Sequence, residues 1–357
     1  MITFPMLPGI DINLYLLIFT GLGAGIVSGF AGVGGGFFMT PALIVLGFPA
    51  NIAVGTSLAW VVGNCVVGAF RHGKQGNVDI KLGLVMISSA MVGMEIGVRI
   101  LNWITHMGLA DEGVLSIAIV LLLIVGTYTL VESVRRKRHL DGLLRQGEMA
   151  PPMGTPPLAQ RLQRIKLPPM VHFSGAGITI SIWIVVAIGL LTGMLAGVMG
   201  VGGGFIMVPS LVYLVGVPSF VAVGTDLFQI IFSAAYGVVR HSMSGNVVIF
   251  ASFIMLVASS IGVQFGVLTT RYVRAVSVRY ILGICILLSA GGSALKLYGV
   301  LLGERAAWAG TGSLIITFGG LGLGVAMIVA LLVIAVRHRN GGNIPSWART
   351  LMSDTDN

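Results

Sequence analysis

The sequence predicts an all-α polytopic membrane protein built from two homologous, inverted repeats, with helices broken at Gly-rich motifs and one extra C-terminal helix. Three observations predict this fold. Of the 357 residues, 56% are hydrophobic and 9% are charged, against about 25% charged in soluble domains. Several apolar runs reach the ~20 residues needed to cross a bilayer. The third observation is an internal repeat, described below.

Nine apolar runs are long enough to be interpreted as membrane-spanning helices. The runs are residues 13–31, 52–70, 82–103, 114–134, 178–199, 221–239, 249–269, 280–300 and 313–336. Two shorter apolar segments, 37–48 and 205–217, each lie between a glycine cluster and a proline-containing turn. We expect the first run to be a retained helix rather than a signal peptide, because no Lys or Arg precedes it.

Composition divides the chain into four parts. The predicted parts are a first transmembrane repeat (1–134), a basic, Pro-containing cytoplasmic linker (135–176), a second transmembrane repeat (177–302), and an extra C-terminal helix with a cytoplasmic tail (303–357). The linker begins with four consecutive basic residues and continues into a Pro-rich stretch. It is too polar to enter lipid, so we expect a flexible connection between the repeats.

The internal repeat is the strongest pattern in the sequence. Residues 32–41 (GVGGGFFMTP) return as residues 200–209 (GVGGGFIMVP), with eight of ten positions identical. The offset is 168 (200 minus 32), and after one inserted residue it becomes 169. At that offset 55–56 (GT) matches 224–225, 71–72 (RH) matches 240–241, and 76–77 (GN) matches 245–246. One register held over this distance indicates a duplicated half.

Basic residues set the predicted orientation, because cytoplasmic loops of membrane proteins are enriched in Lys and Arg. The linker is strongly basic, whereas the loop 105–113 carries Asp111 and Glu112 and no Lys or Arg. Basic clusters at 271–279 and 337–339 fall on the linker's side only if the segment 205–217 crosses the membrane. We therefore predict crossing segments, an outside N-terminus and an inside C-terminus, in the plasma membrane of a bacterium.

The two glycine clusters are candidate binding elements. Consecutive glycines are expected to break a helix, since each costs about 1 kcal/mol relative to Ala. The next helix then begins inside the membrane with unpaired N–H groups and a partial positive charge, which favours anions. The predicted anion site is lined by Gly34, Gly35, Gly36, Gly202, Gly203 and Gly204. Close helix packing through small residues is the structural alternative.

Polar residues early in the following helices extend the predicted site. Side chains of this kind within predicted spans usually face the protein interior or a cavity. Helix capping by Thr, Ser or Asp is the alternative, and it is compatible with substrate contact. The additional predicted substrate-binding residues are Thr56, Ser57, Asn64, Thr225, Asp226 and Gln229.

Asp226 is also the candidate for proton coupling. It is the acidic residue in the early part of a broken-helix region. A carboxylate in a low-dielectric environment can take up a proton near neutral pH, which would let this side chain titrate during transport.

Charged residues near the helix ends have two interpretations. Glu95 and Arg99 lie four residues apart in one span, so we expect them to form an ion pair. The Arg-His pairs that end two matched helices could attract anions at the mouth of a pathway, or anchor the helix ends at the membrane surface. The predicted pathway-mouth residues are Arg71, His72, Arg240 and His241.

These motifs together resemble the TauE/SafE family of sulfite and organosulfonate exporters. The resemblance rests on the paired Gly-x-Gly-Gly-Gly-Phe…Pro segments, the Gly-Thr pairs and the Arg-His…Gly-Asn ends, and covers about residues 15–135 and 177–300. It implies a secondary transporter that exports sulfite or small sulfonates. The anion site follows from the residues, whereas the sulfur chemistry comes only from the resemblance.

Other functional classes fit the sequence less well. The net charge of +9 sits mostly in loops beside apolar runs, so we expect no nucleic-acid partner. No catalytic pair or metal-ligand spacing is visible, so we expect no enzyme activity, no cofactor and no metal. An anion channel that uses the same broken-helix site is the alternative function. The expected partners are a small anion and the lipid bilayer, and a homo-oligomer is left open.

Overall fold

A computed structural model describes residues 2–4, 11–31, 34–145, 157–164, 167–270, 272–273, 275–303 and 307–339. Several positions named above lie outside these residues. They are Gly32, most of the Pro-rich part of the linker, Arg271, Arg274 and the C-terminal tail.

The described chain is helical apart from two short hairpins. The first half contains α1 (Leu14–Ala31), α2 (Gly36–Val45), α3 (Ala50–Lys74), α4 (Ile80–His106) and α5 (Ala110–Arg145), and the linker contains α6 (Pro157–Gln163). The second half contains α7 (Ile182–Met199), α8 (Gly204–Ser210) with a π-helical turn (Leu211–Val215), α9 (Ser219–Met243), α10 (Ile249–Thr270), α11 (Ala275–Leu302) and α12 (Ala307–Arg339). Nine of these helices are long and apolar enough to cross a membrane, which confirms the predicted helical membrane fold for the described residues.

Two boundaries differ from the sequence prediction. The run 178–199 was expected to be one helix, but Ile178–Ser181 forms a strand and the helix begins at Ile182. The polar linker was expected to be flexible from residue 135, but α5 continues to Arg145. Its charged last turns are good helix formers and can extend a membrane helix into water.

Each half begins with an antiparallel β-hairpin. Strands β1 (Ile2–Thr3) and β2 (Asp11–Ile12) precede α1, and strands β3 (Met170–Phe173) and β4 (Ile178–Ser181) precede α7. Both hairpins bury apolar side chains against the bundle. The buried side chains are Phe4 and Ile12 in the first hairpin, and Phe173, Ile178 and Ile180 in the second. We call the end of the bundle with β1–β2 the N-terminal end, and the end with β3–β4 and α6 the linker end.

Helices from different halves pack in pairs, and glycines bring their backbones together. Helix α1 runs parallel to α10, and α7 runs parallel to α4. Glycines lack a Cβ, so neighbouring backbones can approach closely at these positions. The contacts in register are Gly21 with Met255, Gly25 with Ser259 and Gly29 with Val263, then Gly189 with Ser89, Gly193 with Ala90 and Gly197 with Met94.

Helices α3 and α9 are antiparallel neighbours at the centre of the bundle. Gly55, near the start of α3, lies against His241, near the end of α9. Gly224, near the start of α9, lies against His72, near the end of α3. Antiparallel α3 and α9 are what inverted repeats require, and inversion relative to a membrane remains a prediction.

Helices α2 and α8 are half-length and begin near the middle of the bundle. Gly35, just before α2, lies beside Trp60, midway along α3, and Gly203, just before α8, lies beside Thr192, midway along α7. The ten residues of α2 rise about 15 Å, half of the ~30 Å hydrocarbon core. The expectation that the segments 37–48 and 205–217 cross the membrane is therefore wrong, because each returns from the middle to one end.

The predicted grouping of basic segments survives this correction. Helix α7 runs past the middle, so that Gly200 at its end lies against Val54, near the start of α3. The chain then turns back through α8 to the linker end, where Arg279 donates a hydrogen bond to Tyr213 (2.6 Å). The linker reaches the same place through Gln163, whose amide donates to the Val215 carbonyl (2.8 Å).

Labelling from the two membrane faces tests this arrangement. Cysteines introduced for Arg161 in the linker and Arg337 near the end of α12 should react with an impermeant thiol reagent from one face. A cysteine for Met107, between α4 and α5, should react only from the other face. The native Cys65 and Cys285 are buried and give a low background. Reaction of the Arg161 and Arg337 positions from opposite faces would contradict the inverted arrangement.

Candidate functional site

The first helix break surrounds Gly34 and Gly35. Both have left-handed backbones, with φ of 73° and 70°, a conformation that glycine adopts without steric cost. Gly35 is the N-cap of α2 and supplies no side-chain hydrogen bond to the helix. The first N–H groups of α2, from Gly36 onward, are thus capped by no side chain at this position. This is the arrangement that the sequence predicts for an anion site.

The second break repeats this geometry around Gly202 and Gly203. Their φ values are 73° and 84°, and Gly203 is the N-cap of α8, again without a side-chain hydrogen bond. The immediate neighbours of Gly202 are apolar, since its Cβ would lie 2.7 Å from a Val61 methyl and 3.3 Å from an Ile230 methyl, whereas Gly203 lies against Thr192. The two breaks share a backbone conformation but differ in chemistry.

The two breaks meet inside the bundle. A Cβ on Gly36 would clash with the carbonyl oxygen of Val201. The rings of Phe37 and Phe205, the second residues of α2 and α8, lie 6.4 Å apart. The structure therefore brings together the glycines Gly34, Gly35, Gly36, Gly202, Gly203 and Gly204 that the sequence analysis selected. Their role as ligands remains a prediction.

Thr56 and Thr225 join one half to the other. The N–H of Val248, just before α10, donates to the Thr56 hydroxyl oxygen (3.0 Å), and the N–H of Asp79, just before α4, donates to the Thr225 hydroxyl oxygen (2.9 Å). These two bonds are equivalent, because under the 169-residue offset Thr56 corresponds to Thr225 and Asp79 corresponds to Val248. Each satisfies an N–H at a helix start, so the capping alternative holds for both threonines, but across repeats rather than within one helix.

Ser57 has a similar cross-repeat contact. Its hydroxyl donates to the carbonyl oxygen of Gly200, at the end of α7 (2.8 Å). Ser57 is fully buried. This predicted site residue thus holds the backbone that leads into the second break, and any substrate contact would have to compete with that bond.

Asn64 organises the first break. Its amide donates to the Ser28 hydroxyl (2.7 Å) and the Gly34 carbonyl (3.2 Å), and its carbonyl accepts from Ser259 (3.0 Å). The equivalent positions in the other half are Ser233, Ala196 and Ala90. Two of the three polar side chains are therefore replaced by alanine around the second break. At these three positions the first break therefore carries more polar side chains than the second.

Asp226 is fully buried in α9. One carboxylate oxygen accepts a hydrogen bond from Gln229 (3.2 Å), whose own carbonyl accepts from Ser233 (3.3 Å). The second carboxylate oxygen, Oδ2, has no hydrogen-bond partner. An unpaired buried carboxylate oxygen is costly, so such a group is expected to meet a proton, ion or ligand at some stage of function.

The predicted pathway-mouth residues occupy different environments. Arg240 pairs with Glu95 through two hydrogen bonds (2.6 and 3.0 Å), and Glu95 also pairs with Arg99 (2.8 Å). His241 is fully buried, with Nε2 3.2 Å from the Gly197 carbonyl, whereas His72 is half-buried. The side chain of Arg71 lies outside the described residues.

The Glu95–Arg99 pair confirms the expected i,i+4 contact, and the Arg240 contact is an addition. Arg240 comes from another helix, 145 residues further along the chain. In this conformation Arg240 and His241 serve packing between helices. Whether they attract anions stays a prediction.

Several residues of the site were not selected from the sequence. The indole N–H of Trp60 is buried without a hydrogen-bond partner, and Trp60 lies against Gly35. Ser28 and Ser259 complete the Asn64 network. Asp79 connects α4, α9 and the second hairpin. Among the described residues, no group of three or more His, Cys, Asp or Glu side chains is placed to hold a metal ion.

Comparisons with known proteins agree with the motif resemblance. The family described as Sulfite exporter TauE/SafE matches residues 17–293, a range that contains both breaks and every candidate site residue. No solved structure matches the chain significantly.

The curated relatives that match share one description, probable membrane transporter protein. YunE of Bacillus subtilis is 26% identical over 286 residues, which cover 77% of this chain and 95% of the relative. YjnA of the same organism is 22% identical over 267 residues, covering 72% and 94%. MJ0441 of Methanocaldococcus jannaschii is 27% identical over 205 residues, covering 56% and 61%.

Proposed function

Because this chain belongs to the TauE/SafE family, we propose that it is a secondary transporter that exports small anions by alternating access between its two halves. The substrates that we propose first are sulfite and organosulfonates. The protein is an integral membrane protein, and its relatives are described as probable membrane transporter proteins. Substrate, direction and mechanism are the proposed parts.

One observation carries the proposal. Two half-helices begin side by side in the middle of the bundle, each at a left-handed glycine and each without a side-chain cap. Such N-termini favour an anion through their N–H groups and dipoles, and need no basic side chain. Proposed substrate contacts are the two glycine clusters with Asn64, Asp226 and Gln229.

The duplicated halves, with α3 and α9 antiparallel, favour a carrier over the alternative anion channel, because inverted repeats are typical of alternating access. The first hairpin buries Phe4 and Ile12 at the N-terminal end, and the second buries Phe173 and Ile180 at the linker end. A carrier alternates between closing one end and opening the other, whereas a channel needs a pathway open at both ends together. The proposal includes no chemical step and no cofactor.

Flux measurements in proteoliposomes test the proposal. The purified full-length chain should catalyse saturable efflux of sulfite and of small organosulfonates, with slower efflux of carboxylates of similar size. Efflux should be measured with and without a pH gradient, and counterflow should be seen when unlabelled substrate is placed outside. Non-saturating flux without counterflow would favour the channel. No flux of any oxyanion or sulfonate would refute the proposed substrate class.

A further inference from the structure

The second hairpin lies at the linker end, where its turn contacts Asp79, just before α4. Phe173, Ile178 and Ile180 pack in one buried cluster with Leu82 of α4 and Ala222 of α9. Ala222 lies one turn before Asp226, and both are fully buried. One buried cluster therefore extends from the hairpin to the start of the helix that carries the candidate site.

One carboxylate ties this hairpin to the bundle. Asp79 Oδ2 accepts a hydrogen bond from the N–H of Ala176, in the hairpin turn (3.0 Å). Its other oxygen, Oδ1, accepts from the N–H of Leu82 and so caps α4 (3.0 Å). The Asp79 side chain is buried, and hydrogen bonds of this kind to a carboxylate are stronger than those between neutral groups.

Asp79 is also linked to the helix of the candidate site. Its backbone N–H donates to the hydroxyl oxygen of Thr225, the residue before Asp226 in α9. A shift of the α9 start on substrate binding would therefore move the residue that holds the hairpin. The hydrogen bonds form one short path from Thr225 through Asp79 to Ala176.

The opposite end lacks this side chain. Under the 169-residue offset, Asp79 corresponds to Val248. The backbone contact is kept, because the Val248 N–H donates to Thr56, but a valine side chain cannot accept a hydrogen bond from a hairpin. The two ends are thus built differently at equivalent positions.

We propose that the β3–β4 hairpin is the gate of the transport pathway at the linker end, and that Asp79 holds this gate closed and couples it to the start of α9. The proposal rests on the proposed transport function. Asp79 is a positioning residue, since it reaches the substrate site only through Thr225. A two-stranded hairpin is marginally stable alone, so this one depends on its apolar packing and on the Asp79 anchor, and loss of the anchor should make it open more often.

Two variants remove the anchor from opposite sides. In Asp79→Asn the amide oxygen can still cap α4, but its NH₂ group faces the Ala176 N–H and cannot accept from it. In Gly175→Ala the new Cβ would lie 3.0 Å from both Cβ and Oδ2 of Asp79, so either the hairpin turn or the Asp79 side chain must shift, which strains the bond to Ala176. The matched control is Asp111→Asn at the N-terminal end, where the carboxylate accepts a hydrogen bond from the Ala50 N–H, at the start of α3 (2.8 Å).

The native cysteines report the result in the full-length protein in membranes. Cys65 lies 3.4 Å from the Cβ position of Gly34 and is fully buried, whereas Cys285 is buried in another cluster, on α11. An impermeant thiol reagent is applied to each membrane face. In both anchor variants, labelling of Cys65 from the linker face should rise roughly tenfold, which corresponds to about 1.4 kcal/mol. Cys285 labelling, and Cys65 labelling in Asp111→Asn, should match the wild type.

Two results would contradict the proposal that the β3–β4 hairpin is a gate. Unchanged Cys65 labelling in both anchor variants shows that the hairpin is not held by Asp79. A parallel rise at Cys65 and Cys285 shows general loosening of the bundle instead of gating. Efflux measured in the same vesicles separates this question from the proposed function. Faster Cys65 labelling in the anchor variants, together with no anion efflux by the wild type, supports the gate and refutes the anion substrate. Normal efflux by the wild type, together with unchanged labelling in the variants, supports the anion substrate and refutes the gate.

Discussion

Anion efflux should be abolished in Gly35→Val, while the variant still inserts and folds. Gly35 has φ of 70°, and a left-handed backbone costs a residue with a Cβ roughly 1–2 kcal/mol. Its Cβ would lie 2.8 Å from Ser28 Cβ, 3.0 Å from the Trp60 ring and 3.1 Å from the Ala24 carbonyl oxygen. The first turn of α2 would have to move, and with it the N–H groups proposed to bind the anion.

The measurement is efflux in proteoliposomes at matched protein density, with size-exclusion profiles as the check on folding. Gly319→Val is the matched control, because Gly319 is an exposed helical glycine in α12 with nothing within 4 Å of its Cβ position. This control should transport as the wild type does. Normal efflux by both Gly35→Val and Gly203→Val would remove the glycine breaks from the proposed site.

Gly35 and Gly203 occupy equivalent positions in the two halves, but they should differ in how well they tolerate replacement by alanine. A Cβ on Gly203 would lie 3.3 Å from the Thr192 carbonyl oxygen, with no closer contact, so Gly203→Ala carries the backbone strain with little crowding. Gly35→Ala has both the backbone strain and the steric crowding. We expect Gly203→Ala to keep part of the efflux and Gly35→Ala to lose most of it. The reverse order would place the more important contacts at the second break.

Much of the architecture could be predicted because the two halves of the chain carry the same motifs in the same order. The repeated GVGGGF segments and their prolines predicted both helix breaks, and the structure finds left-handed glycines at Gly35 and Gly203. The Glu95–Arg99 pair was predictable because i,i+4 spacing places side chains on one helix face. These are local or periodic signals, which a single sequence displays directly.

The missed features depend on contacts between distant parts of the chain. The strand Ile178–Ser181 is a short apolar run that continues into α7, and periodicity cannot separate a buried strand from a helix over four residues. The Glu95–Arg240 pair and the Asp79–Ala176 bond join positions 145 and 97 residues apart. Nothing in the spacing of those residues marks them as partners. The two short segments were predicted, but their return from the middle of the bundle was missed, because apolar composition does not show at what depth a helix begins.

The energetics of export do not require proton coupling, so the test of coupling is whether Asp226 takes up a proton during transport. A membrane potential with a negative interior already drives an anion outward, by ~2.3 kcal/mol per charge per 100 mV. Coupling is therefore not required for export. However, an ionised carboxylate 4 Å from a bound anion would repel it by about 4 kcal/mol at an effective dielectric of 20, nearly a thousandfold in affinity. If Asp226 faces the anion, a proton must bind the carboxylate when the anion binds.

Asp226→Asn should therefore retain substrate binding and lose the pH dependence of transport. The amide is close in shape to the protonated acid, and it can still accept the hydrogen bond from Gln229. Efflux by the wild type should rise as the pH on the substrate-loading side falls, because the proton and the anion enter the site together, whereas efflux by the variant should stay constant.

The substrate in this assay should be an organosulfonate, whose charge does not change near neutral pH, since sulfite itself titrates there. Asp111→Asn is the control for a half-buried, hydrogen-bonded carboxylate at the bundle end and should keep the wild-type profile. If Asp226→Asn also keeps that profile, the carboxylate is a structural group of α9 and transport runs on the membrane potential alone.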